Sequence, residues 1–183
     1  VPGDPHLIIV EGQSDAESLR QLGRSALALC GAGNLSVGDI ERLQKRRAIY
    51  LALDNDLHKT KLSPAEQDNI RKRKALVTRR LCEALGTLTM IVPDLPAKDM
   101  NEWLQNGLTL QVLEKHLSSS KPWLDLMIDH SRTLSPLELD ENLQAITRHI
   151  TNLPDTLRAR YASLIEKKLF ISKRDLKSLM NQH

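Results

Sequence analysis

Apolar residues gather in four short runs, Leu7–Val10, Ala26–Cys30, Ala48–Leu53 and Leu88–Val92. Continuous runs of this length read as strands buried on both faces. The stretches between them carry a helical rhythm instead. Ser14–Leu22 places Ala16, Leu19 and Leu22 on one face, and Ser36–Arg46 does the same with Val37, Ile40 and Leu43. The long segment Ser63–Leu85 has Ile70, Val77, Leu81 and Leu85 in phase. Ser14-x-x-Glu17 and Ser63-Pro64-Ala65-Glu66 read as capping boxes, and Gly23 and Gly86 close their helices. Strand and helix alternating at this spacing predict an α/β fold: a parallel sheet with helices on both faces.

After Val92 the rhythm changes. Pro93-Asp94-Leu95-Pro96 is a loop, Lys98–Leu104 opens a helix ending near Gly107, and no strand-like run follows. Helical patterns fall at Leu108–Leu117, Pro122–His130, Pro136–Thr151, Pro154–Phe170 and Lys173–Met180. Leu139, Leu143, Ile146 and Ile150 line one face, as do Leu157, Tyr161, Leu164 and Leu169. Ser135-Pro136-Leu137-Glu138, Asn152-Leu153-Pro154-Asp155 and Ser172-Lys173-Arg174-Asp175 mark helix starts. The pattern divides the chain into an α/β domain over 1–107 and a small all-α bundle over 108–183, with Ser118-Ser119-Ser120-Lys121 as the polar seam.

Composition sharpens this picture in three places. Aromatic residues make up only 3% of the chain, so the core is aliphatic. The net charge is a modest +3, but Arg42–Arg80 concentrates Arg42, Lys45, Arg46, Arg47, Lys59, Lys61, Arg71, Lys72, Arg73, Lys74, Arg79 and Arg80 against few acids. Such a local excess suits a polyanionic partner, and Arg71-Lys72-Arg73-Lys74 is the stretch that would track a nucleic-acid backbone; a solvated helix face explains it equally. Cys30 and Cys82 sit in apolar runs without CxxC or histidine spacing, which reads as reduced core thiols rather than a zinc site. There is no apolar run of membrane-spanning length and no signal peptide, so a cytoplasmic location away from membranes is expected. The first residue is Val, which suggests a domain cut from a longer protein.

Candidate chemistry lies where the strands end. Glu11 follows the first run directly, with Gly12 to turn the chain. The third run ends in Asp54-Asn55-Asp56, and residues two apart on an extended chain point to one side. Two carboxylates so placed repel unless a cation lies between them. An oxygen-only set favours Mg²⁺, with Mn²⁺ as a substitute, and Glu11 on a parallel strand would complete it. Taken singly, each acid reads more readily as an ordinary turn or capping residue. A third acidic group, Lys98-Asp99-x-Asn101-Glu102, follows the fourth run.

In this order, Glu11-Gly12-x-x-Asp15, Asp54-x-Asp56 and Lys98-Asp99-x-Asn101-Glu102 resemble the TOPRIM domain of topoisomerases, primases and certain nucleases. Within that superfamily the chain looks most like a bacterial (DnaG-type) or mobile-element DNA primase. Ala28–Gly33 falls where the family has a strand and glycine turn. Pro122–Ile128, Asn152–Asp155 and Ile171–Leu176 resemble the helical subdomain that follows TOPRIM in primases. The resemblance implies a Rossmann-like TOPRIM sheet and a Mg²⁺-dependent nucleotidyltransferase that makes RNA primers from ribonucleoside triphosphates on single-stranded DNA, with a replicative helicase as a further partner.

By position, the resemblance implies Glu11, Asp54 and Asp56 as catalytic residues, with the metals held by those three and Asp99. It implies substrate contacts at Lys98, Gly12, Asp15 and Asn101. Two departures stand out. Leu57–Leu62 replaces the prompt turn that primases make after the second acid, and Asn101 stands where many relatives carry Asp. The family's zinc ribbon and basic subdomain are not within these residues, so only a portion of a complete primase is expected. The alternatives are a TOPRIM nuclease using the same metals, or a non-catalytic module of the replication machinery.

Overall fold

The computed structural model describes residues 6–31, 35–46, 48–58, 61–85 and 88–180. Ala32, Gly33, Arg47, Lys59, Thr60 and Gly86, on which parts of the sequence reading fall, lie outside these, as does the side chain of Val37. Each apolar run contains a strand: β1 (His6–Val10), β2 (Ala26–Ala28), β3 (Ala48–Leu51) and β4 (Thr89–Ile91). They are parallel, with Ile8 beside Ala26 on one side and Tyr50 on the other, and Tyr50 beside Met90. The sheet order is β2-β1-β3-β4, with the two-residue β5 (Lys121–Pro122) beyond β4. Two residues are too few to show a strand period, which is why β5 was not legible in the sequence.

The connecting helices are α1 (Gln13–Gln21), α2 (Val37–Gln44) and α3 (Pro64–Leu85), followed by α4 (Met100–Gln105) and α5 (Leu110–Leu117). Because side chains alternate along a strand, Ile8, Val10 and Ala52 share one face. They pack there with Ala16 and Leu19 of α1, Met100 and Trp103 of α4, and Leu113 and Leu117 of α5. This compact unit comprises the described residues up to Leu85 and those from Thr89 to Lys121. It therefore runs past Gly107 to include α5. Leu7, Ile9, Ile49 and Leu51 point to the opposite face, and the buried residues Leu43 of α2 and Leu81, Cys82 and Leu85 of α3 belong to the same unit.

The second unit contains α6 (Trp123–Ser131), α7 (Pro136–Thr151), α8 (Asp155–Leu169) and α9 (Lys173–Met180). Its core is Ile128, Leu143, Ile146, Ile150, Tyr161, Ile165 and Leu176. On α8 the buried step is Tyr161 to Ile165, while Leu164 and Leu169 are only partly covered. Ser135 and Ser172 cap their helices, through Glu138 and the Asp175 N–H respectively. Among the described residues no helix is long and apolar enough to cross a membrane.

Two local expectations are corrected. Helix α1 starts at Gln13, so Ser14 lies inside it and forms no cap with Glu17. The cap is Gly12, whose N–H donates to Asp15 Oδ2 at 3.2 Å. Cys30 is exposed rather than in the core, because β2 stops at Ala28 and the chain turns through positive φ at Cys30 (49°) and Gly31 (115°). Cys82 is buried as expected, and burial pushes its thiol pKa well above the ordinary range.

Candidate active site

The order β2-β1-β3-β4 has its reversal between β1 and β3, since the chain leaves β1 for one neighbour and returns past it to the other. Open α/β sheets bind ligands in the crevice at the carboxyl ends of the strands flanking such a reversal. Glu11 follows β1 and Asp54 lies just beyond β3, so both stand at that crevice. They touch: the Asp54 N–H donates to Glu11 Oε1 at 3.1 Å.

The third acidic segment reaches the same edge through Asn55. Its N–H donates to the Lys98 carbonyl at 2.6 Å and its side-chain amide to the Leu95 carbonyl at 2.8 Å. Asp99 caps α4, accepting from the Glu102 N–H at 2.7 Å, and its other oxygen lies 3.4 Å from the Lys98 ammonium. Glu102 reaches back to accept the Lys98 N–H at 2.6 Å. The hydrogen-bonded Asn55 thus fixes the spacing between the second and third acidic segments, and the sequence reading missed it. The available signal was an Asn in a turn, where such side chains bond backbone groups.

Asp15 is 4% exposed, with Oδ2 accepting the Gly12 N–H and Oδ1 accepting the Asn101 N–H at 3.0 Å. The Ser18 hydroxyl, also buried, donates to Asn101 Oδ1 at 3.2 Å. Asp15 and Asn101 therefore tie the start of α1 to the start of α4. Gly12 is the residue this brace requires, since a Cβ there would stand 2.6 Å from Asp15 Oδ2.

The electrostatics are unbalanced around Asp54. Burial, then the Glu11, Asp15 and Asp99 charges, push its pKa up to about 6, against the pull of Lys98. Lys98 is exposed, and Asp99 holds its ammonium pKa above the usual lysine value. Asp56 behaves differently from Asp54. The chain does not stay extended after β3: Asp56 opens a 3-10 turn (Asp56–His58), and its carboxylate meets Arg73 of α3 at 2.7 Å. Arg71 and Lys72 are exposed on α3, with Lys72 paired to Asp68.

A hard divalent cation fits the donor chemistry of this edge, which is all carboxylate oxygen with surplus negative charge at Asp54. In the present arrangement no three His, Cys, Asp or Glu side chains among the described residues stand close enough to hold one together. Trp103 and Trp123 are buried, with their ring edges against His116 and His149, and Tyr161 is fully buried. All three are packing residues.

The sheet order, flanking helices and following bundle define a TOPRIM-like α/β fold with a C-terminal helical subdomain. Solved structures similar to this one include DNA primases. A DNA primase domain from Pseudomonas aeruginosa matches with a TM-score of 0.68 and 17% identity over 96% of this chain and 54% of that one. The zinc-binding and RNA polymerase domains of the Aquifex aeolicus primase match with a TM-score of 0.62 and 21% identity over 94% and 39%. A DnaG primase catalytic domain bound to ssDNA matches with a TM-score of 0.54 and 18% identity over 90% and 52%. At these identities the likeness establishes the fold, and this chain spans about half or less of each matched chain. No protein-family model and no curated protein sequence matches.

Proposed function

We propose that this chain is the metal-dependent catalytic portion of a DNA primase, which joins ribonucleotides into a primer on single-stranded DNA. The observation that carries the reading is the meeting of Glu11, Asp54 and the Lys98–Asp99 segment at the β1/β3 reversal of a primase-like fold. One of the similar primase structures is bound to ssDNA, which supports the choice of template.

Glu11, Asp54 and Asp56 would hold Mg²⁺ or Mn²⁺, with Asp99 extending the set. When bound, the metal lowers the pKa of the attacking 3′-hydroxyl and neutralises the leaving pyrophosphate. The chain's own residues then have separate tasks. Glu11 keeps one oxygen on the Asp54 N–H and has a second with no partner among the described residues, free to accept a proton or ligate. Asp54, with its pKa near 6, is ionised at neutral pH and gains most from a nearby cation. Lys98 stays protonated and offers an exposed ammonium to a substrate phosphate. Asp15, Ser18, Asn55 and Asn101 keep these groups in register by backbone and side-chain hydrogen bonds. A replicative helicase remains the natural protein partner of such an enzyme.

The test is primer synthesis on a single-stranded template by the intact protein, wild type beside Asp54→Ala/Asp56→Ala. Synthesis lost in the double variant, with circular dichroism unchanged, supports the reading. Normal priming by that variant overturns the site. Cleavage of labelled DNA with Mg²⁺ or Mn²⁺ and no nucleotides would assign the same carboxylates to phosphodiester hydrolysis.

A further inference from the structure

Two cations of the α3 basic run lie on the loop that carries Asp54 and Asp56. Arg73 Nη2 donates to Asp56 Oδ2 at 2.7 Å. One residue on, the Lys74 ammonium donates to the Asp54 carbonyl at 3.1 Å and to Asp94 Oδ1 at 2.8 Å. They differ in how firmly they are held. Lys74 has a main-chain carbonyl as well as a carboxylate, and its side chain is 30% exposed. Arg73 is 70% exposed, whereas the Asp56 side chain it meets is 28% exposed. A solvated guanidinium on a carboxylate is weakly bound. Lys74 therefore belongs to the loop's framework, and Arg73 is the exchangeable cation.

We propose that Arg73 competes with the divalent cation for Asp56, and that the guanidinium, once displaced, becomes a ligand for the triphosphate of the incoming nucleotide. The inference rests on the function proposed above. A guanidinium and a metal ion on one carboxylate repel each other, so the stronger point charge displaces the solvated side chain. The released group is not neutralised by losing its proton, because arginine stays charged in proteins. Its planar fork suits phosphate oxygens as well as it suits a carboxylate. Its attachment to α3 keeps it beside the Asp54–Asp56 loop. The substrate would thus restore the charge balance that metal entry disturbs.

Calorimetric titration of the intact protein with Mn²⁺ alone tests the competition, using wild type, Arg73→Gln, Arg73→Lys and Asp54→Asn. Arg73→Gln is expected to bind Mn²⁺ about two- to fivefold tighter than wild type, with Arg73→Lys close to wild type. With Mn²⁺ saturating, the same Arg73→Gln protein is expected to bind α,β-methylene ATP roughly tenfold more weakly. Mn²⁺ binding that is unchanged, weaker or absent in Arg73→Gln overturns the exchange, as does unchanged affinity for the analogue. Loss of Mn²⁺ binding in Asp54→Asn without any gain in Arg73→Gln overturns the exchange while leaving the carboxylate edge intact. Wild-type Mn²⁺ binding in Asp54→Asn overturns both.

Discussion

The carboxyl edge of the sheet and the helical unit solve opposite problems. In the unit built from α6 to α9, Ile146, Ile150, Tyr161 and Ile165 are fully buried, and Ser135 and Ser172 supply regular helix caps. The Lys168–Asp129 ion pair there lies at the surface. At the sheet edge, burial of Asp54, and after it the Glu11, Asp15 and Asp99 charges around it, raise its pKa to about 6. One region is arranged for stability, and the other tolerates repulsion that folding alone does not require. Like charges gathered in a crevice make that edge the candidate functional site.

Substitutions on the two sides should therefore separate stability from activity. The largest effect is expected at the edge. On the function proposed above, Asp54→Ala in the intact protein should lower primer synthesis at least about 1,000-fold, since a metal contributes several kcal/mol to such a reaction. Its urea midpoint should not fall. Ile150→Ala in the helical unit should do the reverse, costing about 3 kcal/mol in urea unfolding and leaving the Mn²⁺ affinity of the folded protein within about twofold. A matching loss of metal affinity in that variant would break the contrast.

Asp15 tests the boundary between the two behaviours. Although it belongs to the acidic set, its oxygens brace two backbone amides. Asp15→Ala should cost about 2 kcal/mol by leaving two partly buried donors unpaired, and should speed hydrogen exchange at Gly12 and Asn101. A stability equal to wild type would mean the brace is not needed.

The smallest effect expected is the gain in stability of Asp54→Asn. An Asp whose folded pKa is raised to about 6 binds its proton more tightly folded than unfolded. Its stabilising contribution is present at low pH and is lost as pH rises from about 4, the unfolded value, through about 6. Asp54→Asn should thus match wild type near pH 4 and exceed it by about 1 kcal/mol at pH 7.5, a figure reduced for solvent screening of a half-exposed group. Denaturant unfolding at the two pH values measures this. Adding Mn²⁺ at pH 7.5 should raise the Tm of wild type and leave that of Asp54→Asn unchanged.

Local rules account for most of what was legible beforehand. Runs such as Leu7–Val10 have no polar face and must be buried, and Ser63 with Glu66 forms the expected capping box at the start of α3. The acids were visible as residues following strands, but their relations were not. Asp54 and Asp56 were expected to face the same way; the 3-10 turn at Asp56 and the contact of its carboxylate with Arg73 were not legible. The brace at Asp15 joins residues 86 positions apart, and Asn55 reaches Leu95 across 40. Contacts at such separations leave no period or cap in the sequence.

By itself, then, the sequence determined the alternation of strands and helices, the aliphatic core and the helical C-terminal part, because burial and capping act over a few neighbouring residues. Tertiary structure decided which carboxylates repel, which are paired and which merely hold the backbone. Those roles depend on distance through space and on exposure to water, and both are set when β1, β3 and the Leu95–Asp99 segment come together.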